Sequence, residues 1–88
     1  MAIEFTESAG KHGYTVADAV CAFEHQRFYV PEFDQSRTGG LRPHLVIGPA
    51  FSGEEIEVMF VVEPPETVVI FHVMQVRSKI MRIALRER

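Results

Sequence analysis

The chain has 88 residues and a mass of 10.0 kDa, which leaves room for one domain, residues 1–88, with one hydrophobic core. Its 47% hydrophobic and 24% charged residues exclude a disordered chain. The longest uncharged apolar runs fall far short of the ~20 residues that span a bilayer, and no basic, apolar leader opens the chain, so we expect a soluble, cytoplasmic protein. A single cysteine, Cys21, excludes an internal disulfide and a metal shared between thiols.

The net charge of −3 by itself argues against a polyanion as ligand, but the charge is unevenly distributed. Residues 1–66 hold eleven acidic and four basic side chains, whereas residues 67–88 hold five basic side chains and one acidic. A basic segment of this kind raises the local concentration of RNA or of an acidic protein. It is equally typical of the solvated face of a terminal helix, and the sequence leaves both interpretations open.

The first 13 residues predict a short strand and a short helix. Ile3 and Phe5 alternate with a polar residue, which favours a strand with one buried face. Thr6 is expected to cap a helix over residues 7–12, and Gly13 to end it in a left-handed conformation.

A second helix is predicted from Val16 to about His25. Thr15 and Asp18 have the spacing of a capping box, and apolar residues recur at i, i+3, i+4 and i+7. Cys21 lies in the middle of this helix, where we expect a small buried thiol that belongs to the core.

Four strands are predicted in the rest of the chain. Residues 27–30 favour a strand, and Pro31 restricts it to the edge of a sheet; a polar loop over 34–43 leads to a second strand at 44–47. Residues 56–62 and 67–74 are apolar on both faces, so we expect an antiparallel hairpin whose first strand lies centrally in the sheet.

The chain should end in an amphipathic helix with its basic residues on the outer faces; its apolar stripe is Val76, Ile80, Ile83 and Ala84. The predicted fold class is therefore α+β, with a short N-terminal strand, two helices, an antiparallel meander sheet and a C-terminal basic helix.

No metal or cofactor is expected. The four histidines have no recognised ligand spacing, no second cysteine is present, and no glycine-rich phosphate motif joins a strand to a helix.

Four residues are candidates for catalysis. Lys11 and His12 lie beside each other at a helix end, where a lysine can hold a phosphate and a histidine can carry protons, although both can also simply complement the helix dipole. Arg77 lies where the last strand passes into the final helix, and either binds a phosphate through its guanidinium or forms a surface salt bridge. His72 is predicted to share a strand face with Val68, Ile70 and Met74, as a hydrogen-bonded core residue or as a site residue.

The tripeptide Lys11-His12-Gly13, followed by a helix that opens with Thr15 and Asp18, resembles the N-terminal half of BrnT-like toxins and related small RelE-superfamily proteins. Val76-Arg77, after the last hydrophobic strand, is similar to the Ala-Arg element of those proteins. The resemblance covers nearly the whole chain in the order of its elements.

The resemblance implies a metal-independent endoribonuclease, the toxin of a bacterial type II toxin–antitoxin pair with an antitoxin-like partner. Lys11 and Arg77 would hold the phosphate, His12, or in second place His72, would transfer protons, and the basic helix would steer RNA. Replacing Lys11 or Arg77 by alanine is then expected to abolish activity without unfolding the domain.

The alternative function is a non-catalytic protein-interaction module of the same superfamily. The acidic body and Ser8, at a position where many relatives have histidine, favour it. A core of this size without disulfide or metal gives marginal stability, so we expect association either as a homodimer or with a partner.

Overall fold

The computed structural model of the protein describes residues 2–36 and 40–87. Its elements in chain order are β1 (Ala2–Phe5), a 3-10 helix (Ser8–Gly10), α1 (Val16–Glu24), β2 (Phe28–Val30), β3 (His44–Pro49), β4 (Glu55–Glu63), β5 (Thr67–Gln75) and α2 (Ser78–Glu87). The fold is α+β, as predicted, with α-helices on both faces of one sheet.

The five-stranded sheet has the order β1-β5-β4-β3-β2. Strands β2 to β5 form the predicted antiparallel meander, with β2 at one edge and β4 in the centre. The sheet as a whole is mixed, because β1 pairs in parallel with β5 at the other edge. The alternation that predicts β1 as a strand carries no information about its partner, which lies more than 60 residues away along the chain.

Helix α1 begins where its capping box predicts. The Thr15 side chain accepts a hydrogen bond from the backbone N–H of Asp18, and the Asp18 carboxylate accepts one from the backbone N–H of Thr15. The helix packs closely on β3 at Gly48, where an added Cβ would lie 2.5 Å from the carbonyl oxygen of Ala22. Glycine is therefore required there for close approach of helix and strand.

The two faces of the sheet carry different cores. Helix α1 and the 3-10 helix cover one face through small side chains such as Ala9, Ala19 and Ala22. On the other face Ile80 and Ala84 of α2 pack on residues of β2 and β3. Because α2 is placed over this half of the sheet, a cavity remains beside it over the neighbouring part of β4 and β5.

Two local predictions are wrong. The helix expected over 7–12 is only a 3-10 helix over Ser8–Gly10, although the Thr6 hydroxyl does accept from the backbone N–H of Ala9. Six residues form too few intrahelical hydrogen bonds for a stable α-helix. Cys21 is half-buried, because the core-facing positions of α1 are occupied by Ala19 and Ala22.

The predicted loop over 34–43 has no helix or strand at 34–36 and 40–43, and its residues 37–39 lie outside the described part. Within the described residues, neither helix has the length and apolar character needed to cross a membrane.

Candidate active site

A β-bulge determines which way His72 faces. Met59 is paired with His72, but the next residue of β4, Phe60, is paired with Ile70, so Phe71 is an extra residue in β5. The prediction that His72 shares a face with Val68 and Ile70 is therefore wrong: the extra residue moves His72 to the face covered by α2. Met74 lies on this second face as well, opposite Glu57.

Glu57, a residue of β4 on the same face, has no solvent-exposed surface. Its Oε2 atom lies 2.8 Å from Nε2 of His72 and 2.6 Å from Nη2 of Arg77. Its Oε1 atom accepts a hydrogen bond of 2.9 Å from the backbone N–H of Arg77, and the Arg77 Nε lies 3.1 Å from Oε2. A buried carboxylate thus joins the imidazole and the guanidinium in one hydrogen-bonded cluster.

Burial raises the pKa of Glu57, but the hydrogen bonds from His72 and Arg77 and the positive charge of Arg77 outweigh it, so that the pKa lies below its usual range. The same contacts with the Glu57 carboxylate raise the pKa of Arg77 against the effect of its own burial. The carboxylate and guanidinium are therefore both charged near neutral pH.

The cluster opens into a cavity of about 460 Å³ between the sheet, α2 and the 3-10 helix; its lining includes Ser8, Lys11, Asp34, Met59, Phe71, His72, Arg77, Lys79 and Ile80. The hydroxyl of Ser8 donates a hydrogen bond of 2.8 Å to the carbonyl oxygen of Phe71, which attaches the 3-10 helix to the bulged strand. This attachment brings Lys11 to the rim of the cavity.

His12 lies next to the cavity lining. Its ring centre is 6.1 Å from that of His72, and the two rings are arranged edge to face. Two imidazoles and the cations Lys11, Arg77 and Lys79 are consequently grouped around one concave surface. Such a group can bind a phosphate through its cations and exchange protons with it through its imidazoles.

All four residues singled out in the sequence lie in this region: Lys11, His72 and Arg77 line the cavity, and His12 contacts His72. They come from the N-terminal turn, from β5 and from the residue immediately before α2. Sequence reasoning missed Glu57. The available signal was a single acidic residue inside an otherwise apolar, central strand, Ile56-Glu57-Val58, because a buried carboxylate requires positively charged or hydrogen-bonding partners.

In the part of the chain that the structure describes, every buried side-chain nitrogen and oxygen has a hydrogen-bond partner. Over residues 2–36 and 40–87, no three His, Cys, Asp or Glu side chains are grouped closely enough to hold a metal ion. No protein-family model, curated protein or solved structure matches this chain.

Stability should fall in acid because two carboxylates have lowered pKa values. Glu57 is one; Asp18 is the other, through hydrogen bonds from the backbone N–H groups of Thr15 and Phe51. A carboxyl group with a lower pKa in the folded state stabilises that state above its unfolded pKa and loses this contribution as the pH falls through the folded value. We expect the contribution of both groups to be fully present near neutral pH and to be lost progressively below about pH 4.

Urea unfolding at a series of pH values from 7 to 3 measures this dependence. Asp18→Asn, which cannot titrate, should lose less stability on acidification than the wild type. A free energy of unfolding that rises between pH 5 and pH 3 would contradict the prediction.

Proposed function

We propose that the protein is a metal-independent endoribonuclease, and that it is the toxin of a bacterial type II toxin–antitoxin pair of the BrnT-like kind. The observation that supports this proposal is the cavity that Lys11, His72 and Arg77 line together, with His12 beside it. Residues distant in sequence supply two kinds of group, cations and imidazoles, that phosphodiester cleavage without a metal requires.

In the proposed reaction, the 2′-hydroxyl of the RNA loses its proton to a base and its oxygen attacks the adjacent phosphorus. The bond from phosphorus to the 5′-oxygen breaks, and an acid gives that oxygen a proton, which leaves a cyclic phosphate on one fragment. Lys11 and Arg77 stabilise the negative charge that develops on the phosphate. His12 and His72 are the proton carriers.

The basic surface of α2 extends from this cavity. Lys79 lies at the cavity, and Arg82 and Arg86 are exposed further along the helix. In the proposal these cations attract the RNA backbone, whereas the acidic remainder of the chain repels it. The strength of binding should therefore fall as the salt concentration rises.

A second candidate function is a non-catalytic module that acts through protein contacts. A mostly apolar groove on the α1 face favours this candidate; Ile3, Phe23, Gln26, Tyr29, Val46, Phe60 and Val68 line it. Tyr29 is 48% exposed and Ile3 is 43% exposed, and exposed apolar surface of this kind is typical of interfaces. If the protein is a toxin, the partner proposed for this groove is an antitoxin-like protein. A second copy of the chain is the alternative occupant of the groove.

The proposed activity is tested with purified protein and a short RNA in the presence of EDTA. We expect cleavage that leaves a 2′,3′-cyclic phosphate, and slowed growth with loss of transcripts when the protein is expressed in bacteria. The matched control is the same oligonucleotide with 2′-deoxyribose at the cleaved position, which should stay intact because the nucleophile is missing. If folded protein leaves the RNA intact and expression is harmless, the nuclease proposal is wrong and the interaction module remains.

A further inference from the structure

The contacts of Glu57 identify the proton position on His72. A carboxylate with a lowered pKa is ionised and can only accept hydrogen bonds, so the 2.8 Å contact requires that Nε2 of His72 is the donor. Among the contacts made by the described residues, none involves Nδ1 of His72. Nδ1 is thus the ring nitrogen that remains for a ligand, and 23% of the side chain is exposed.

We propose that Glu57 is a positioning residue, which holds His72 as the Nε2–H tautomer and so makes Nδ1 the atom that exchanges a proton with a phosphate ligand in the cavity. The role in proton transfer rests on the nuclease function proposed above. The tautomer itself rests on the hydrogen-bond geometry and on the ionised state of Glu57, and not on the nuclease function. Glu57 does not contact the substrate in this proposal.

The same carboxylate sets the position of the cation. Oε2 accepts from both His72 Nε2 and Arg77 Nη2, so the two side chains are held against a single oxygen atom. The backbone N–H of Arg77 donates to Oε1, which ties the start of α2 to the same group. Arg77 thereby has a fixed position relative to His72 before any ligand binds, which is the arrangement that electrostatic stabilisation of a transition state requires.

If Glu57 only stabilised the fold, an ionised side chain would not be needed at this position. Burying a carboxylate costs several kcal/mol before its partners compensate, and apolar residues of similar volume often serve a core as well or better. The cross-strand neighbour of Glu57 on the same face, Ile47 of β3, is a buried apolar residue. The carboxylate and its two partners face the cavity side of the sheet, where proton transfer is proposed.

The tautomer is measured by the ¹⁵N chemical shifts of the histidine side chains in wild-type protein near neutral pH. We expect neutral His72 to be entirely in the Nε2–H form, whereas the exposed His25 shows a mixture of tautomers. On titration with inorganic phosphate, the Nδ1 signal of His72 should change and that of His25 should not. A neutral His72 in the Nδ1–H form, or in a mixture like that of His25, would overturn the proposal.

Glu57→Gln tests the role of the carboxylate. An amide has one accepting oxygen and cannot accept from His72 and from every donor of Arg77, so His72 should no longer be confined to one tautomer. RNA cleavage should fall by about 100-fold in kcat, with little change in KM and with an altered pH–rate profile. Glu55→Gln, in the same strand at the exposed ion pair with Arg27, is the matched control and should leave both readouts unchanged.

The outcomes separate the two proposals. If the wild type has the expected tautomer and phosphate response but does not cleave RNA, the nuclease function fails and Glu57 remains the residue that positions a phosphate-binding imidazole. If cleavage occurs but Glu57→Gln keeps a pure Nε2–H tautomer and full kcat, the positioning role fails. The wild-type spectrum decides the tautomer even if Glu57→Gln does not fold.

Discussion

Arg77→Ala should lower the free energy of unfolding by about 3–5 kcal/mol. The substitution removes a guanidinium that makes several hydrogen bonds to the buried Glu57 carboxylate, and leaves that charge with the His72 imidazole and the backbone N–H of residue 77 as donors. Losing the guanidinium is costly because the two donors that remain compensate the charge of a buried carboxylate only in part, and water does not reach it. Urea denaturation of the purified variants measures the change.

Arg27→Ala is the matched control for this effect. Arg27 forms an ion pair with Glu55, the first residue of β4. The side chain of Arg27 is 61% exposed. Surface pairs contribute little, so the control should change the free energy of unfolding by less than about 1 kcal/mol. If Arg77→Ala lowers the free energy of unfolding as little as Arg27→Ala does, the Glu57 cluster does not stabilise the fold.

This expectation differs from the one drawn from the sequence alone, that Arg77→Ala abolishes activity without unfolding the domain. A loss of activity in that variant cannot separate catalysis from folding. Lys11 is the better probe of the proposed phosphate contact, because its side chain is exposed at the rim of the cavity.

Lys11→Ala should reduce the rate of RNA cleavage about 100-fold, which is the usual cost of removing one group that stabilises a developing charge. Its free energy of unfolding should stay within about 0.5 kcal/mol of the wild-type value, as is usual for exposed positions. The measurements are kcat and KM on the RNA oligonucleotide, together with urea denaturation.

Lys79→Ala is the control for charge alone. Lys79 also lines the cavity but belongs to the basic surface of α2. Lys79→Ala should therefore weaken RNA binding and reduce the salt dependence of that binding, with a smaller effect on kcat than Lys11→Ala. If kcat falls by the same factor in the two lysine variants, Lys11 does not stabilise the scissile phosphate more than Lys79 does.

Much of the fold follows from patterns that are local in the sequence. The capping box of Thr15 and Asp18 predicts where α1 begins, and the two-sided apolar character of residues 56–62 predicts that β4 is central. The position of Arg77 between the last strand and the final helix is also predicted correctly. These features are predictable because hydrogen bonds and burial within a few residues determine them.

The candidate site depends on contacts that local patterns do not contain. A single extra residue, Phe71, reverses the face of His72, and strict alternation with a period of two cannot reveal such a bulge. The parallel pairing of β1 and the position of α2 over β2 and β3 likewise depend on packing between distant segments.

The sequence by itself therefore determined the fold class, most of the strands and helices, and the residue types from which a phosphate site could be built. Only the tertiary structure decided that Lys11, His72 and Arg77 border one cavity and that Glu57 connects two of them. The physical reason is that a buried charge is stable only with its partners in place, and those partners come from different parts of the chain: His72 from β5, and Arg77 from the position just before α2.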